Sequence, residues 1–533
     1  MMKKTRIAKT VEDYLNVISY APDPSYVPTD FALEYVNFIK LVNGEEGEEH
    51  ATPVTHYKML DTVVSPDHNV ANMCARGLAK TTLMGEYLIL YIAVYGELPE
   101  FGKVNLGLYV SDSIENGVKN MRKNLEHRYE RSEFLKRYVP TAKFTDIRWE
   151  FINVSGHKTV FKGYGAKTGV RGAKEMGIRP QLALLDDLVS DEDARSATVI
   201  NSIEDTVYKA VTYALHPSHY KIIWNGTPFN ARDPLYKAVE SGAWAVNVFP
   251  VCEEYPCAEE DFRGAWGDRF TWRYVSNMYD RAMRAGKIDT FNQELMLRIM
   301  SAEDRLIEDH EIGWYKHEMV LGSKEAFNFY ITSDFANTTL SAGDNSVISV
   351  WAYNNNGDWF WVDGICKRQL MDKNIDDLFR LAQEYRPEQV AIEISGQQKG
   401  YISWIDEQMG VRNIYFTIAQ EEGSKQRGFR PTTNKFERFN VVVPLFKLHK
   451  IRFPKEMREH PAIREMVDEL SLASREKFKS KHDDFIDTIS QLGMLKAWKP
   501  SQVAPRPAHD GDKYWEEWEP EREDGPSVER YIV

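Results

Sequence analysis

The sequence predicts an α/β protein with two domains joined by a helical connector. Three observations predict this class. The chain has 533 residues, which is enough for more than one hydrophobic core. Short apolar runs alternate with helical stretches from about residue 70 to 230, and a second strand-rich block begins near 327. The segment between the two blocks is charged and has a helical pattern.

The composition excludes several classes of protein. The chain carries 67 basic and 80 acidic residues, a net charge of −13, which excludes a wholly basic nucleic-acid binder but leaves room for one basic groove. Its four cysteines form no CxxC pair, so we expect neither a disulfide framework nor a zinc ribbon. The longest apolar run, 87–95, is far below the roughly 20 residues that cross a bilayer, so we expect no membrane segment.

The first candidate site is an octapeptide with the length and ending of a phosphate-binding P-loop. Its sequence is Cys74-Ala75-Arg76-Gly77-Leu78-Ala79-Lys80-Thr81, and Thr82 opens the following helix. In such a loop Lys80 reaches the β- and γ-phosphates and Thr81 binds Mg²⁺. Cys74 and Ala79 replace both glycines of the GxxxxGK[ST] pattern, so an ordinary turn before a buried helix is the alternative.

Two further elements supply what a P-loop needs. The apolar run 182–185 ends in Asp186 and Asp187, as in a strand that brings one carboxylate to Mg²⁺ and a second to the attacking water. A simple polar turn is the alternative. The predicted strand 221–224 leads into Asn-Gly-Thr-Pro, where Thr227 can hydrogen-bond a phosphate-bound water and its own backbone.

The second candidate site consists of acidic residues at the ends of C-terminal elements. Asp334 follows the predicted strand 327–333, and Glu393 closes a strand within 389–394. Asp483, Asp484 and Asp487 open a helix, on which residues three or four apart share a face. Because clustered carboxylates repel one another unless cations offset their charge, we expect divalent metal ions here. Helix capping is the alternative for the three late aspartates.

Two charged segments flank this block. Residues 421–482 hold 15 basic against 9 acidic residues. Four of these basic residues are predicted to form a loop that follows DNA phosphates, a solvated charged face being the alternative: Lys425, Arg427, Arg430 and Lys435. The last 24 residues carry 3 basic and 9 acidic groups around Tyr514, Trp515 and Trp518, which predicts either a docking peptide or a solubilising tail.

Taken in order, these motifs resemble the large terminase subunit of tailed double-stranded DNA bacteriophages, whose P-loop also contains an arginine. The resemblance implies an N-terminal P-loop (RecA/ASCE-like) ATPase domain and a C-terminal RNase H-like nuclease domain. The implied organisation is a helical segment over 1–50, an ATPase core over 51–254, a helical lid or linker over 255–325, a nuclease over 326–500 and an acidic aromatic tail over 501–533.

The resemblance also assigns roles to single residues of the ATPase site. Arg76 matches the P-loop arginine, whose guanidinium can hold γ-phosphate charge in a planar, bidentate way. Asp186 joins Thr81 as a Mg²⁺ ligand, and Asp187 is the first candidate for the catalytic carboxylate, with Glu192 second. The loop before residue 182 resembles one that supplies an arginine finger to a neighbouring subunit. Arg171 is the first candidate for this finger and Arg179 the alternative; either could be an ordinary surface arginine.

In the nuclease, the resemblance implies that Asp334, Glu393 and Asp484 are the main catalytic metal ligands. Asp483 and Asp487 are further ligands or supports. Two metal ions held by such carboxylates activate water and stabilise the departing 3′-oxygen in phosphodiester cleavage. The implied ions are Mg²⁺ or Mn²⁺, and ATP is the implied nucleotide of the other site.

The implied function is a motor that hydrolyses ATP to move double-stranded DNA through the portal into the procapsid and cleaves concatemeric DNA. The implied partners are the portal protein, the small terminase subunit and further copies of this chain, in a pentamer. Its implied location is the host cytoplasm during virion assembly, not the mature virion. A helicase-nuclease of repair or recombination is the alternative, but it would need a second RecA-like domain in place of the C-terminal acidic block.

Overall fold

The computed structural model divides the chain into two compact units. One is formed by Met1–Arg305 with Ser471–Lys481, and the other by Leu306–Leu470 with His482–Val533. The described residues are 9–47, 49–168, 170, 173–175, 177–300, 305–336, 345–393, 399–421, 427–430, 433–475, 478, 480 and 482–501. The division after Arg305 falls inside the predicted connector, whereas Ser471–Lys481 lies inside the predicted nuclease range 326–500. The predicted domain boundaries stay predictions.

The first unit is built around an eight-stranded sheet with the order β10-β1-β9-β8-β4-β7-β6-β5. Its first six strands in this order are parallel, and β6 and β5 continue it as an antiparallel pair. The strands of this unit, including the small hairpin β2–β3, are β1 Asn69–Cys74, β2 Glu97–Leu98, β3 Gly102–Lys103, β4 Leu106–Ser111, β5 Thr141–Phe144, β6 Arg148–Ile152, β7 Lys158–Gly165, β8 Leu182–Asp186, β9 Lys221–Gly226 and β10 Ala245–Phe249.

Helices pack against this sheet, and many begin with a capping side chain. Thr29, Ser196 and Thr271, for example, accept a backbone hydrogen bond at the start of α2, α7 and α10. The helices are α1 Val11–Val17, α2 Asp30–Asn43, α3 Val54–Val63, α4 Leu88–Tyr95, α5 Lys119–Arg131, α6 Glu133–Tyr138, α7 Ala197–Asp205, α8 Thr212–Ala214, α9 Pro234–Glu240, α10 Trp272–Ala285 and α11 Ile288–Phe291. A π-helical segment, Thr82–Tyr87, leads into α4.

The central strands explain why this sheet is parallel and covered on both faces. All residues of β4, β8 and β9 are buried, as expected of strands that are apolar on both sides. Strand β9 lies between β1 and β8, so the predicted P-loop strand and the predicted acidic strand are second neighbours. Their carboxyl ends, with that of β9, meet at one edge of the sheet, where ligands bind in open α/β folds.

The second unit contains a six-stranded mixed sheet with the order β11-β16-β14-β13-β12-β15. Strands β12, β13 and β14 form an antiparallel meander, and β15 is parallel to β12. The strands are β11 Gly313–Tyr315, β12 Asn328–Asp334, β13 Ser346–Tyr353, β14 Trp359–Lys367, β15 Gln389–Ile392 and β16 Ile451–Pro454. The helices are α12 Glu318–Leu321, α13 Met371–Tyr385, α14 Lys399–Arg412, α15 Lys435–Lys447, α16 Pro461–Ser471 and α17 Asp484–Ser490.

The core of the second unit lies between its sheet and α13 and α14. Ile331, Val350 and Val362 from the sheet join Leu378 and Ile405 from the helices in one cluster. Helix α17, which is buried along its whole length, contacts β12 and β13. The predicted α/β fold class is thus confirmed for both units. None of the helices in the described part of the chain has the length and apolar content of a membrane-spanning segment.

Candidate active sites

The octapeptide forms the connection between β1 and the π-helical segment. The Ala75 N–H donates to the Phe249 carbonyl at 2.9 Å, which ties the loop to the neighbouring strand β10. Gly77 and Ala79 have φ angles of 89° and 53°. Ala79 occupies the position of the second motif glycine, so it adopts the left-handed conformation for which glycine is normally selected.

The Lys80 side chain is buried among oxygen atoms from other strands. Its Nζ donates to Thr227 Oγ1 at 3.0 Å and lies 3.4 Å from Asp187 Oδ1. The Thr227 hydroxyl in turn donates to the Cys74 carbonyl at 2.7 Å. The three sequence elements of the first candidate site therefore come together, as their order in the chain predicts.

Thr81 connects the octapeptide to Asp186 at the end of β8. Its hydroxyl donates to Asp186 Oδ1 at 3.0 Å, and the Tyr109 hydroxyl of β4 donates to Asp186 Oδ2 at 2.9 Å. Burial and then repulsion from Asp187 raise the pKa of Asp186 to about 7, although Lys80 and the two hydroxyls oppose the shift. Asp186 is therefore a carboxyl group whose ionised form needs a cation.

Arg76 has a partner that the sequence did not predict. Its Nε lies 2.9 Å from Glu294 Oε2, and its backbone N–H donates to the Glu294 carbonyl at 2.9 Å. Burial raises the pKa of Glu294, and the charge of Arg76 opposes that rise. Because Glu294 lies in the charged helical connector and matches no motif, only the folded chain reveals this contact.

The two carboxylates and two arginines named as competing candidates for the first site have different surroundings. Asp187 has a φ of 43° and a half-exposed side chain, and it lines the same cleft as Lys80. Glu192 is exposed and does not line that cleft. Arg179 donates to the Tyr213 carbonyl at 2.9 Å. Arg171 lies outside the described residues.

An open cleft of about 350 Å³ is lined by the octapeptide and by the residues that end β8 and follow β9. Its lining includes hydroxyl, carboxylate, amide and basic side chains from several elements. The members are Arg76, Lys80, Thr81, Tyr109, Ser111, Asp112, Asn116, Gly117, Asn120, Met121, Asn124, Asp186, Asp187, Val189, Ser190, Asp191, Thr227 and Phe229. Such a set of donors and carboxylates suits a phosphate-rich ligand with a divalent cation.

In the second unit, the predicted acidic residues lie at the ends of neighbouring elements. Asp334 ends β12, Glu393 directly follows β15 beside it, and Asp484 and Asp487 belong to α17, which contacts β12. Burial raises the pKa of Asp334 well above its usual range, and the charges of Asp487, Glu393 and Asp484 add to the rise. Burial and these acidic neighbours therefore disfavour the ionised form of Asp334.

Two basic residues of α15 bind these carboxylates. Lys435 Nζ lies 2.8 Å from Asp483 Oδ1 and 2.7 Å from Asp487 Oδ2. Arg438 Nη2 lies 2.9 Å from Asp487 Oδ1 and 3.3 Å from Glu393 Oε2. Burial still raises the pKa of both Glu393 and Asp487. The expectation that Lys435 belongs to a phosphate-following loop is corrected, since it is the first residue of a helix and pairs with acids.

The other basic residues of that stretch behave differently. Both terminal nitrogens of Arg427 donate to the Asp406 carboxylate on the surface. The backbone N–H of Arg430 donates to Glu421 at 2.7 Å. Lys425 and the acidic tail over 502–533 lie outside the described residues.

Helix α17 is fixed by contacts at its beginning. Glu469 of α16 accepts hydrogen bonds from the backbone N–H groups of Phe485 at 3.1 Å and Ile486 at 2.8 Å. Asp484 accepts one from the Asn345 N–H at 2.9 Å. Glu469 therefore caps the helix from outside and leaves Asp484 and Asp487 to the carboxylate cluster.

The donor set of this cluster suits Mg²⁺ or Mn²⁺, because carboxylate oxygens are their preferred protein ligands and Asp334 is destabilised by its acidic neighbours. Within the described residues, however, no three or more His, Cys, Asp or Glu side chains are gathered closely enough to hold a metal ion. Glu393 and Asp487 are instead paired with Arg438 and Lys435.

Comparison with known proteins gives matches among solved structures. No protein-family model matches the chain, and no curated protein matches it. The chain is similar to the large terminase of bacteriophage HK97 at 15% identity, over 91% of this chain and 99% of that one, with a TM-score of 0.32.

Two nuclease domains are also similar to the chain. The large terminase nuclease of the thermophilic phage G20c, with bound magnesium, is 13% identical over 36% of this chain and 98% of that one, with a TM-score of 0.25. The human cytomegalovirus terminase nuclease domain is 12% identical over 36% and 95%, with a TM-score of 0.28. All three are terminase chains.

Proposed function

We propose that this chain is a large terminase subunit, an ATPase that moves double-stranded DNA and a metal-dependent nuclease that cuts it. The observation that carries the proposal is the hydrogen-bond network of the first unit. In it, Lys80 of the octapeptide meets Thr227, which directly follows β9, and Thr81 meets Asp186, the last residue of β8. In an ordinary turn before a helix, we would not expect a lysine and a threonine to donate hydrogen bonds to these two groups.

In the ATPase site, each residue has a role that its surroundings favour. Lys80 exchanges Thr227 and Asp187 for phosphate oxygens, and Arg76 adds a planar guanidinium for γ-phosphate charge. Thr81 and Asp186 hold Mg²⁺, which when bound offsets the charge of the phosphates. Asp187, half-exposed in the cleft, orients the attacking water, and the exposed Glu192 is the second candidate for that role.

In the nuclease site, Asp334, Glu393 and Asp484 hold divalent ions, with Asp483 and Asp487 as further ligands. The bound ions supply the charge that activates water and stabilises the departing 3′-oxygen. The carboxylates position these ions at the ends of β12, β15 and α17. Chemistry of this kind acts on the phosphodiester backbone, which suits cleavage with little dependence on sequence.

The proposed partners follow from this activity. They are double-stranded DNA, the portal protein of a procapsid, the small terminase subunit and four further copies of this chain in the host cytoplasm. Arg171, with Arg179 as the alternative, would reach the ATPase site of a neighbouring copy.

Two variants of the full chain test the proposal by separating the two activities. Lys80→Ala should lower ATP hydrolysis about 10²-fold or more and leave Mn²⁺-dependent nicking of plasmid DNA intact. Asp334→Ala should abolish nicking and leave ATP hydrolysis intact. Lys209→Ala and Asp406→Ala, both at exposed ion pairs, are the matched controls.

The outcomes distinguish the proposal from its alternatives. Nicking that survives Asp334→Ala would overturn the nuclease assignment, and ATP hydrolysis that survives Lys80→Ala would overturn the ATPase assignment. ATP-dependent strand separation of a forked duplex would favour the helicase-nuclease.

A further inference from the structure

Helix α15 directs two cations at the carboxylates that are the proposed metal ligands. Asp487 receives both of them, since Lys435 binds one of its oxygens at 2.7 Å and Arg438 the other at 2.9 Å. Arg438 also reaches Glu393, and Lys435 also reaches Asp483. The fixed start of α15, where Asn434 accepts a hydrogen bond from the Glu437 N–H, holds both side chains on this side.

Burial makes the contact of Arg438 with Asp487 strong, whereas the Lys435 side chain is 45% exposed. The side chains of Arg438 and Asp487 are 8% and 1% exposed, so water screens their attraction little. A metal ion that approached Asp487 or Glu393 would meet a positive charge already within contact distance of the same oxygens. Like charges at such separations oppose each other's binding.

We propose that Lys435 and Arg438 are resident counter-cations of the nuclease carboxylates, and that a divalent metal ion loads by displacing them from Asp487 and Glu393. The inference rests on the proposed nuclease function. It assigns these two residues a positioning role: they hold the acidic side chains in place before the metal binds and weaken metal binding by competition. The nuclease therefore binds metal less tightly than the same carboxylates would without them.

The first test measures Mn²⁺ binding to the full chain, by electron paramagnetic resonance of free Mn²⁺. Lys435→Met should tighten binding at the Asp334-dependent site severalfold, because it removes one competing charge that water partly screens. Lys435→Arg should retain the wild-type affinity. Lys447→Met is the matched control, since Lys447 ends the same helix and binds Glu311 at 2.7 Å, and it should leave the affinity unchanged.

The second test detects the displacement itself and does not depend on a substitution. Saturating Mn²⁺ should increase acetylation of Lys435 by acetic anhydride several-fold, quantified by mass spectrometry, and should leave Lys447 unchanged. Lys435→Met that leaves Mn²⁺ affinity unchanged or weakens it would overturn the inference, as would Lys435 labelling that is indifferent to bound Mn²⁺.

A failure of the proposed nuclease function would give a different result in the Mn²⁺-binding experiment. Wild-type chain whose Mn²⁺ binding is unaffected by Asp334→Asn would overturn the metal site and the inference with it. Binding that depends on Asp334 but not on Lys435 would overturn the inference alone.

Discussion

The two units hold their buried carboxylates by different means. In the first, Asp186 is bound by neutral hydroxyl groups of Thr81 and Tyr109, while Lys80 donates to Thr227. In the second, Asp487 is bound by the charged groups of Lys435 and Arg438. Burial raises the pKa of both acids; the charge of Lys80 opposes the rise at Asp186, whereas Lys435 and Arg438 oppose it at Asp487 through direct ion pairs.

The largest expected effect comes from removing one of these positive charges from the second unit. Arg438→Met should lower the free energy of unfolding by about 3–5 kcal/mol, because it leaves Glu393 and Asp487 buried without that partner. Urea unfolding monitored by hydrogen exchange in α17 measures the effect.

The control for that variant is an exposed pair in the same unit. Arg427 and Asp406 have side chains that are 50% and 36% exposed, so Arg427→Met should cost less than about 1 kcal/mol. Equal losses for the two variants would contradict the role given to burial.

The next effect concerns the pH dependence of the first unit. Asp186 has a pKa of about 7 in the folded chain and 3.8 ordinarily, so the folded state binds this proton more tightly. Its contribution to stability is therefore complete below about pH 4 and is lost as the pH rises to about 7. Without nucleotide or metal, Asp186→Asn should be more stable than wild type at pH 8 by roughly 1–4 kcal/mol.

Thermal unfolding in a chelating buffer at several pH values measures this gain, which should disappear near pH 4. Asp205→Asn is the control, because its exposed side chain is screened by water. A gain that did not change with pH would show that the titration of Asp186 is not its cause.

The smallest expected effect tests whether the left-handed backbone at Ala79 of the octapeptide is strained. Ala79→Gly should stabilise the chain by up to about 1 kcal/mol. It removes the free-energy cost of the left-handed conformation for alanine, which is slightly larger than the extra conformational entropy that glycine gives the unfolded chain. Ala75→Gly, in the same loop without a positive φ, should instead destabilise by about 0.5–1 kcal/mol. Paired melting temperatures decide between these signs; a loss with both variants would mean that Ala79 is unstrained.

Much of the fold and part of the sites could be predicted from local patterns. The predicted strand 327–333 agrees with β12 to within one residue at each end, and the apolar run 182–185 lacks only Asp186 of β8. Short apolar runs that end in polar residues are consistent with buried strands, and length separates them from helices, since the longer run 87–95 lies largely in α4. The carboxyl ends of such strands meet, so Asp186 and Thr227 could be expected near Lys80.

The contacts that could not be predicted join residues without a shared motif. Glu294 lies in a segment whose charge pattern predicts only a helix. Its pairing with Arg76 depends on the tertiary fold, which brings this distant segment next to the octapeptide. The excess of basic residues over 421–482 did indicate that positive side chains lie near the acidic residues of the second site. Because composition does not reveal direction, it could not tell Lys435, which binds acids within the chain, from a lysine that binds DNA.

Ala79 also bears on how such loops arise and are found. Its φ of 53° shows that the second glycine position of this loop is defined by a torsion angle, which a residue other than glycine can supply. Alanine and glycine codons differ by one base, so a lineage can cross between the two without passing through a broken loop. Searches that require the glycine would pass over such chains, while searches that score backbone torsions together with the Lys-Thr ending would retain them.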